Sequence, residues 1–402
     1  MSSRSGRRWL PWAAAGSTIV LLLVVLACQT AASATTPINV GLIAPLSGSS
    51  ASSGEAIQRG MLLAIDEINR SGGVLGRPLA VVTRDVDNDP AAGIAAVREL
   101  VASESVVAVF GGKYSPVMRA QLDVIHELRV PLINTWGSLN AITNNGRAPN
   151  YAFGVTVNDV YADEFLVRYA VDVIGARRPG IMADANVWGE ANAKGLSDWL
   201  VKIGAPAAGV ERFAEGDTSM LHQLEKLRAA GADSILLVAN APEGGSVVRG
   251  LGALGWKVPV VSHWSVSSGQ FVERGGVENT EGVLTLQTYS FFGRQSPKGE
   301  AVLRAYNARF GTRSVAEVQA PVGVAHGYDA LHLLARAIRK SGTTGGPEIR
   351  AALEGLDPYE GLIKRYAPAF TRESHDALQA EDYLMTTWKS GELVPAARPG
   401  LK

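Results

Sequence analysis

Short runs typical of β-strands alternate with amphipathic helical segments along most of this chain, and this alternation constrains the fold more than any other feature. After the first run, apolar residues recur at helical spacing from Ile57 to Ile68, and the segment ends at Gly72–Gly73. Consecutive units of this kind predict a parallel sheet with helices on both faces. The strand-like runs of the first half are Ile38–Ala44, Leu79–Arg84, Val106–Phe110 and Pro131–Asn134.

The same alternation restarts in the second half, which predicts an α/β protein with two similar doubly wound lobes. The last third contains a strand near Gly282–Gln287, a long helix near Ala320–Lys340 and a closing strand near Tyr383–Trp388. It is too short for a third domain, so we expect it to complete the two sheets. The strand-like runs of the second block are Gly180–Asp184, Gly209–Phe213, Ser234–Asn240 and Val258–Ser262, with a helix predicted at Met220–Ala230.

The N-terminal segment has the pattern of an export signal, with three early arginines followed by the apolar run Ile19–Ala27. An uncleaved anchor is the weaker alternative, because the run is shorter than the ~20 residues that span a bilayer. Val25–Cys28 resembles a lipobox, with cleavage before Cys28 and a lipid on the cysteine; the other cleavage point is after Ala34. We expect residues 1–34 to be signal peptide and linker. The mature protein would be exported to the periplasm or the outer face of a bacterial cytoplasmic membrane.

Charge, cysteine content and motifs exclude several classes of function. The 38 basic and 38 acidic residues balance, so nucleic acid is not an expected partner. Cys28 is the only cysteine, which excludes an intrachain disulfide and a site of several zinc thiolates. Gly250, Gly252 and Gly255 match a dinucleotide fingerprint in spacing, but they end a helical segment instead of opening one. The sequence has no Gly-x-Ser-x-Gly or His-Glu-x-x-His motif, and we expect neither an enzyme nor a cofactor or metal.

Three tryptophans fall in the loops that follow the predicted strands. In doubly wound folds these loops share one edge of each sheet, and ligands bind there. Trp136, Trp188 and Trp264 therefore favour a partly apolar or planar ligand. The alternative is that these side chains fill the cores of the lobes.

Two serines in the same loops are candidates for binding an anion. Ser115 precedes Pro116 and is predicted to cap a helix, as Asp89 is before Pro90. A cap hydroxyl beside free backbone N–H groups also favours negative charge. Ser115, and Ser138 on its shorter loop, could therefore hold a ligand carboxylate.

A series of motifs extends over residues 38–395: Ile38–Leu42 leading to Pro45–Gly48, then Gly54, Gly60, Ala64–Asn69 with Gly72–Gly73, Asp89–Pro90 and Trp188–Glu190. Together they resemble the type I periplasmic binding proteins of the leucine/isoleucine/valine-binding kind, which feed ABC importers. The resemblance implies a clamshell of two lobes joined by three crossovers. The N-terminal lobe would comprise residues 37–156 plus 284–382, and the C-terminal lobe residues 157–283 plus 383–402.

The resemblance also implies ligand contacts, position by position. Ser115 and Ser138 would bind a carboxylate through their hydroxyls, Trp136 would contribute main chain beside Gly137, and Trp188 stands where the family often has a tyrosine.

Three further positions depart from the family pattern. Trp264 stands where the family has an acidic residue that pairs with a ligand ammonium, and Ser53 and Ala241 replace aromatic residues. A buried ammonium without that carboxylate would lack a partner, so the ligand is not expected to be a simple aliphatic α-amino acid.

The function implied is that of a monomeric solute-binding protein. It would capture a small organic ligand in the cleft between the lobes and deliver it to ABC permease subunits in the membrane. A carboxylate, an amide, an aromatic compound or a relative of the amino acids would suit the cleft, and a lipid on Cys28 would add a membrane contact. The alternative is a sensor that reports ligand occupancy to a receptor or regulator.

Overall fold

The structure is a computed structural model that describes residues 1–2, 6 and 35–397. The predicted signal run Ile19–Ala27, Cys28 and Ala34 lie outside the described residues, so cleavage and lipid attachment stay predictions. From Pro37 onward the described chain forms one compact unit. Among the helices within the described ranges, none combines the length and the hydropathy needed to cross a membrane.

The first half of this unit builds a five-stranded parallel sheet in the order β2-β1-β3-β4-β5. Val40 pairs with Val81 on one side of β1, and Leu42 pairs with Phe110 on the other. Helices cover both faces of such a sheet, which is why β1 is an almost continuous buried apolar run. The elements are β1 (Ile38–Ala44), α1 (Ala51–Arg70), β2 (Leu79–Asp85), α2 (Pro90–Glu104), β3 (Val109–Gly111), α3 (Ser115–Leu128), β4 (Leu132–Asn134) and β5 (Ala152–Gly154).

The chain then crosses to a second sheet, whose first four strands are parallel. Its β8 is buried along its whole length, as a central strand between two helical layers must be. The elements are α4 (Asp159–Arg168), β6 (Pro179–Asp184), α5 (Val187–Lys202), β7 (Gly209–Phe213), α6 (Leu221–Ala229), β8 (Ser234–Val238), α7 (Ala241–Ala253), β9 (Val260–Ser262), α8 (Phe271–Gly275), α9 (Val277–Thr280) and β10 (Leu284–Gln287).

The last third returns to the first sheet and then to the second. Its long helix α11 packs along α1, and a Cβ at Gly60 would collide with the carbonyl oxygen of Val324, so glycine permits the close approach. The second sheet is completed in the order β14-β13-β10-β9-β8-β6-β7. The elements are α10 (Pro297–Phe310), α11 (Pro321–Ser341), α12 (Gly346–Leu353), β11 (Tyr359–Glu360), β12 (Arg365–Tyr366), β13 (Leu384–Lys389) and β14 (Glu392–Pro395).

The chain thus passes three times between two sheets, which confirms the predicted α/β architecture. We call the first sheet with its packed helices the first lobe, and the second sheet with its helices the second lobe. The boundary predicted at residue 284 is wrong by one strand, because β10 pairs with β9 and β13 and so belongs to the second sheet. The tail was expected to complete both sheets, but it extends the first only through an isolated bridge between Gly154 and Asp376.

Candidate ligand site between the two lobes

Loops from both lobes meet at the carboxyl ends of the strands and enclose a space of about 10 Å³. This is about the room that one water molecule needs. Six of the eight predicted ligand residues line it: Ser115, Trp136, Gly137, Ser138, Trp188 and Trp264. The other lining residues are Lys113, Tyr114, Pro116, Asn186, Asn240 and Ser265.

Two tryptophans form the centre of this contact. Trp136 follows β4 in the first lobe and stacks on Trp264, which follows β9 in the second, with ring centroids 4.8 Å apart. Both indoles are fully buried. The main chain of Trp136 is already engaged, because its N–H donates to Asn134 Oδ1 at 3.1 Å and its carbonyl accepts from Thr156 Oγ1 at 2.8 Å. Its indole Nε1–H has no partner among the described residues, so the side chain carries the unused donor.

Trp188 joins the lobes by a hydrogen bond. It lies in the first turn of α5, which Asn186 caps by accepting from the backbone N–H groups of Trp188 and Gly189. Its indole Nε1–H crosses the cleft and donates to Ser138 Oγ at 3.0 Å. His263 lies edge-on to the same ring, at 5.2 Å between centroids. The cap and the histidine together fix the position of this indole at the cleft.

The hydroxyls of Ser115 and Ser138 act as acceptors and keep their protons available. Ser115 Oγ accepts from the N–H of Leu139 at 3.4 Å, and Ser138 Oγ accepts from Trp188. The predicted capping role of Ser115 is wrong: the cap position is Tyr114, without a side-chain cap bond, and Ser115 is the first helical residue. The hydroxyl of Ser115 therefore turns toward the loop after β4 instead of the helix backbone.

Gly137 allows the loop after β4 to approach the first turn of α3. A Cβ at Gly137 would collide with the side chain of Met118 and lie 3.0 Å from Ser115 Oγ. The amide of Asn134 also donates to the Gly137 carbonyl and holds the turn from within. Gly137 thus contributes to the site by its small size.

Ser53 and Ala241 are not among the residues that line the space. Ser53 is buried in α1, where its hydroxyl donates to the Ser50 carbonyl at 2.6 Å. Ala241 is the first residue of α7 and is buried against the turn at Gly269. Asp89 does cap α2 as predicted, accepting from the N–H groups of Ala91 and Ala92.

Sequence reasoning missed Lys113, which lines the space from the loop before α3. It is 4% exposed, and its Nζ contacts Ser268 Oγ of the second lobe at 3.4 Å. Burial lowers the pKa of its ammonium to about 8, although the charges of Glu243, Asp87 and Glu215 oppose this. The signal in the sequence was the segment Gly112–Ser115. It resembles the end of a phosphate-binding loop, but Val107 stands where that motif requires its first glycine.

Two further buried groups shape the electrostatics. Burial, aided by Glu243 and Glu215, raises the pKa of Asp184 to about 7. His326 on α11 lies 5.4 Å from the Trp264 ring, and its Nδ1 and Nε2 contact the Thr135 carbonyl at 3.0 Å and Thr288 Oγ1 at 2.7 Å. Since a carbonyl can only accept, Nδ1 carries the proton and Nε2 accepts from Thr288. Burial lowers the pKa of this imidazole to about 4.

A larger cavity of about 510 Å³ also touches both lobes. Its lining includes Ser49 and Ser52 of the first lobe, and also Ser267, Ser268 and Phe291. The hydroxyl of Ser267 is buried without a partner among the described residues. Since Lys113 contacts Ser268, this pair stands between the larger cavity and the tryptophan-lined space.

Comparison with known proteins identifies the family. A family model described as "Periplasmic binding protein" matches residues 37–392. The "Leu/Ile/Val-binding protein homolog 3" of Brucella melitensis is 22% identical over 90% of this chain and 95% of its own.

Solved structures share the fold. The branched-chain amino acid transporter substrate binding protein LivJ from Streptococcus pneumoniae, in complex with isoleucine, is 25% identical, with a TM-score of 0.78 over 89% of this chain and 98% of its own. A solute binding protein of an ABC transporter from Rhodopseudomonas palustris HaA2, in complex with p-hydroxybenzoic acid, is 21% identical, with a TM-score of 0.79 over 91% and 97%. The matched span and the two-lobed fold show that the chain belongs to the type I periplasmic binding proteins of the leucine/isoleucine/valine-binding kind.

Proposed function

We propose that this protein captures a small organic carboxylate with a planar body between its lobes and delivers it to an ABC importer. The observation that carries the proposal is a set of unused donors facing one space. The hydroxyl protons of Ser115 and Ser138 and the Nε1–H of Trp136 have no acceptor among the described residues. Buried donors without acceptors are costly, and a carboxylate offers acceptors to all three.

The N-terminus of α3 supports the same choice. Ser115 begins this helix of 14 residues, and the free backbone N–H groups at a helix start favour an anion. Three indoles line the same space, and large aromatic faces favour a planar partner. A planar carboxylate combines the two requirements.

The lining residues argue against an aliphatic α-amino acid. Among the described residues that line the space there is no aspartate and no glutamate. Glu190 is paired with Arg212, and one carboxylate oxygen of Asp184 accepts from Asn186 Nδ2 at 2.9 Å. An α-ammonium in the space would therefore lack a carboxylate partner.

Ligand entry requires a change in the contact between the lobes. The space holds about 10 Å³, so a ligand as large as benzoate must separate Trp136 from Trp264 or move the lobes apart. Such hinge opening about crossover segments is common in two-lobed binding proteins. We take residues 37–156 with 288–382 as the first lobe and residues 157–287 with 383–397 as the second.

The family supports a cellular role in solute uptake. We propose that the protein is exported, that Cys28 carries a lipid after cleavage of the signal, and that a monomer presents its ligand to a membrane permease. The structure from Streptococcus pneumoniae named above is a transporter substrate binding protein, which supports transport over sensing.

The test is a titration of benzoate and of leucine, followed by tryptophan fluorescence and calorimetry. We expect benzoate to bind and leucine not to bind at micromolar concentration. Ser138→Ala should weaken benzoate binding, whereas Ser71→Ala, which removes a hydroxyl bonded to Ile68 at the end of α1, should not. Micromolar binding of leucine would contradict the proposed ligand class. Uptake of labelled benzoate by cells that depends on the protein would separate a transporter from a sensor.

A further inference from the structure

Lys113 carries a buried charge that the protein does not neutralise directly. An ammonium has three N–H donors, and this one has a single contact, at 3.4 Å, to Ser268 Oγ. It forms no salt bridge with any carboxylate in the described part of the chain. A buried cation in this position is costly unless an anion pairs with it.

Two of the three acids that act on Lys113 from a distance have hydrogen-bond partners of their own. Glu243 Oε1 accepts from the N–H of Gly216 at 2.9 Å, and Glu215 Oε2 accepts from Asn88 Nδ2 at 2.7 Å. Asp87 is exposed. These carboxylates lower the cost of burying the ammonium, but none of them occupies its donors.

The position of Lys113 connects this charge with the proposed ligand. The residue lines the same space as Ser115, Ser138 and the three indoles, and it lies two residues before the start of α3. Hydroxyl and indole donors bind a neutral amide or alcohol as well as a carboxylate, so they distinguish charge poorly. An ammonium adds a group that favours an anion.

We propose that Lys113 is a specificity-determining residue that pairs with the anionic head of the ligand and discriminates carboxylates from their neutral isosteres. This inference rests on the proposed function, since it names the group that recognises charge in that site. Ser115 and Ser138 orient the head by their hydroxyls, and Lys113 supplies the charge.

The test uses three acid and amide pairs as probes: benzoate and benzamide, phenylacetate and phenylacetamide, and nicotinate and nicotinamide. Calorimetry at pH 7 compares the wild type with Lys113→Met, Lys113→Arg and a control, Lys202→Met, at an exposed lysine that lies over the Trp199 ring. We expect the wild type to prefer one acid over its amide by about tenfold to a hundredfold, the range for a charged hydrogen bond. Lys113→Met should remove this preference by weakening the acid alone, and Lys113→Arg should retain most of it.

Denaturant unfolding keeps the test independent of ligand. We expect Lys113→Met to be at least as stable as the wild type, because it removes an unpaired buried cation. A clear loss of stability would show that the protein already compensates the charge, and would overturn the inference. Equal binding of the acid by the wild type and Lys113→Met would overturn the inference and leave the proposed function standing. A wild type that binds none of the three acids would overturn both.

Discussion

Trp136 in the first lobe stacks on Trp264 in the second, with the ring planes inclined by 26°. The stack crosses the cleft at the carboxyl ends of β4 and β9. His326 lies against Trp264 and is held through both ring nitrogens. The tryptophans that the sequence places in cleft loops therefore contribute to the contact between the lobes and line the candidate site.

Replacing Trp264 should test its contribution to the contact. Trp264→Ala removes a fully buried indole, so we expect the free energy of unfolding to fall by about 3–5 kcal/mol. Trp199→Ala, at a partly exposed tryptophan on α5, is the control and should cost less. Urea unfolding at pH 7 measures both variants, and a Trp264→Ala protein as stable as the control variant would contradict the packing described.

Ser115 and Asp89 should separate binding from helix capping. Ser115→Ala has no cap bond to lose and removes only the long 3.4 Å hydrogen bond from the N–H of Leu139, so we expect a smaller fall in melting temperature than for Asp89→Ala. We expect binding of a ligand carboxylate to weaken by about 1–3 kcal/mol. Asp89→Ala removes a real cap and should lower stability by about 1 kcal/mol without changing affinity. Thermal unfolding and calorimetry on the same two variants give both readouts. If Ser115→Ala lowered the melting temperature and left the affinity unchanged, Ser115 would have a structural role and not a binding role.

His326 should make the protein less stable in acid. Its folded pKa of about 4 lies below the ordinary value of 6.5, so between these values the unfolded state binds more protons. The free energy of unfolding should therefore fall as the pH falls from 6.5 to 4, by on the order of 3 kcal/mol from this group. His326→Gln should flatten this dependence, whereas His222→Gln at an exposed position should not. Denaturant unfolding at several pH values measures the slopes, and parallel curves for His326→Gln and the wild type would contradict the prediction.

Asp184 should act in the opposite direction. Its folded pKa of about 7 lies above the ordinary 3.8, so the folded state binds more protons between these values and stability falls as the pH rises through them. Asp184→Asn keeps an acceptor for Asn186 and removes the charge. We expect it to be more stable than the wild type at pH 8 and similar at pH 4, as followed by urea unfolding. A variant less stable at pH 8 would show that the carboxylate is compensated in the fold.

The alternation of strands and helices was sufficient to predict the two sheets, because each long buried run has its own local pattern. Within these two sheets β5 and β14 were missed, and so were the two short strands of the separate β11–β12 hairpin. Ala152–Gly154 is too short to show a period, and the pairing partners of β5 and β14 define both strands. The strand near Gly282–Gln287 was predicted, but its sheet was not. Its membership depends on pairing with Val261 and Ser262, which are distant in sequence.

The sequence was sufficient to predict those residues of the candidate site whose position depends only on where the strands end. Parallel strands end at one edge, which brings Ser115, Ser138 and the tryptophans together. Lys113 escaped notice because its burial depends on Ser268 in the opposite lobe. Ser53 came from the family resemblance alone, and here its hydroxyl is bonded within its own helix region.

The most direct test of the proposed site is a crystal structure of the protein with bound benzoate. We predict that the carboxylate lies within hydrogen-bond distance of Ser115 Oγ and Ser138 Oγ, and that the ring lies against Trp136 or Trp264. Benzoate found instead in the 510 Å³ cavity, with the Trp136–Trp264 stack intact, would contradict the account.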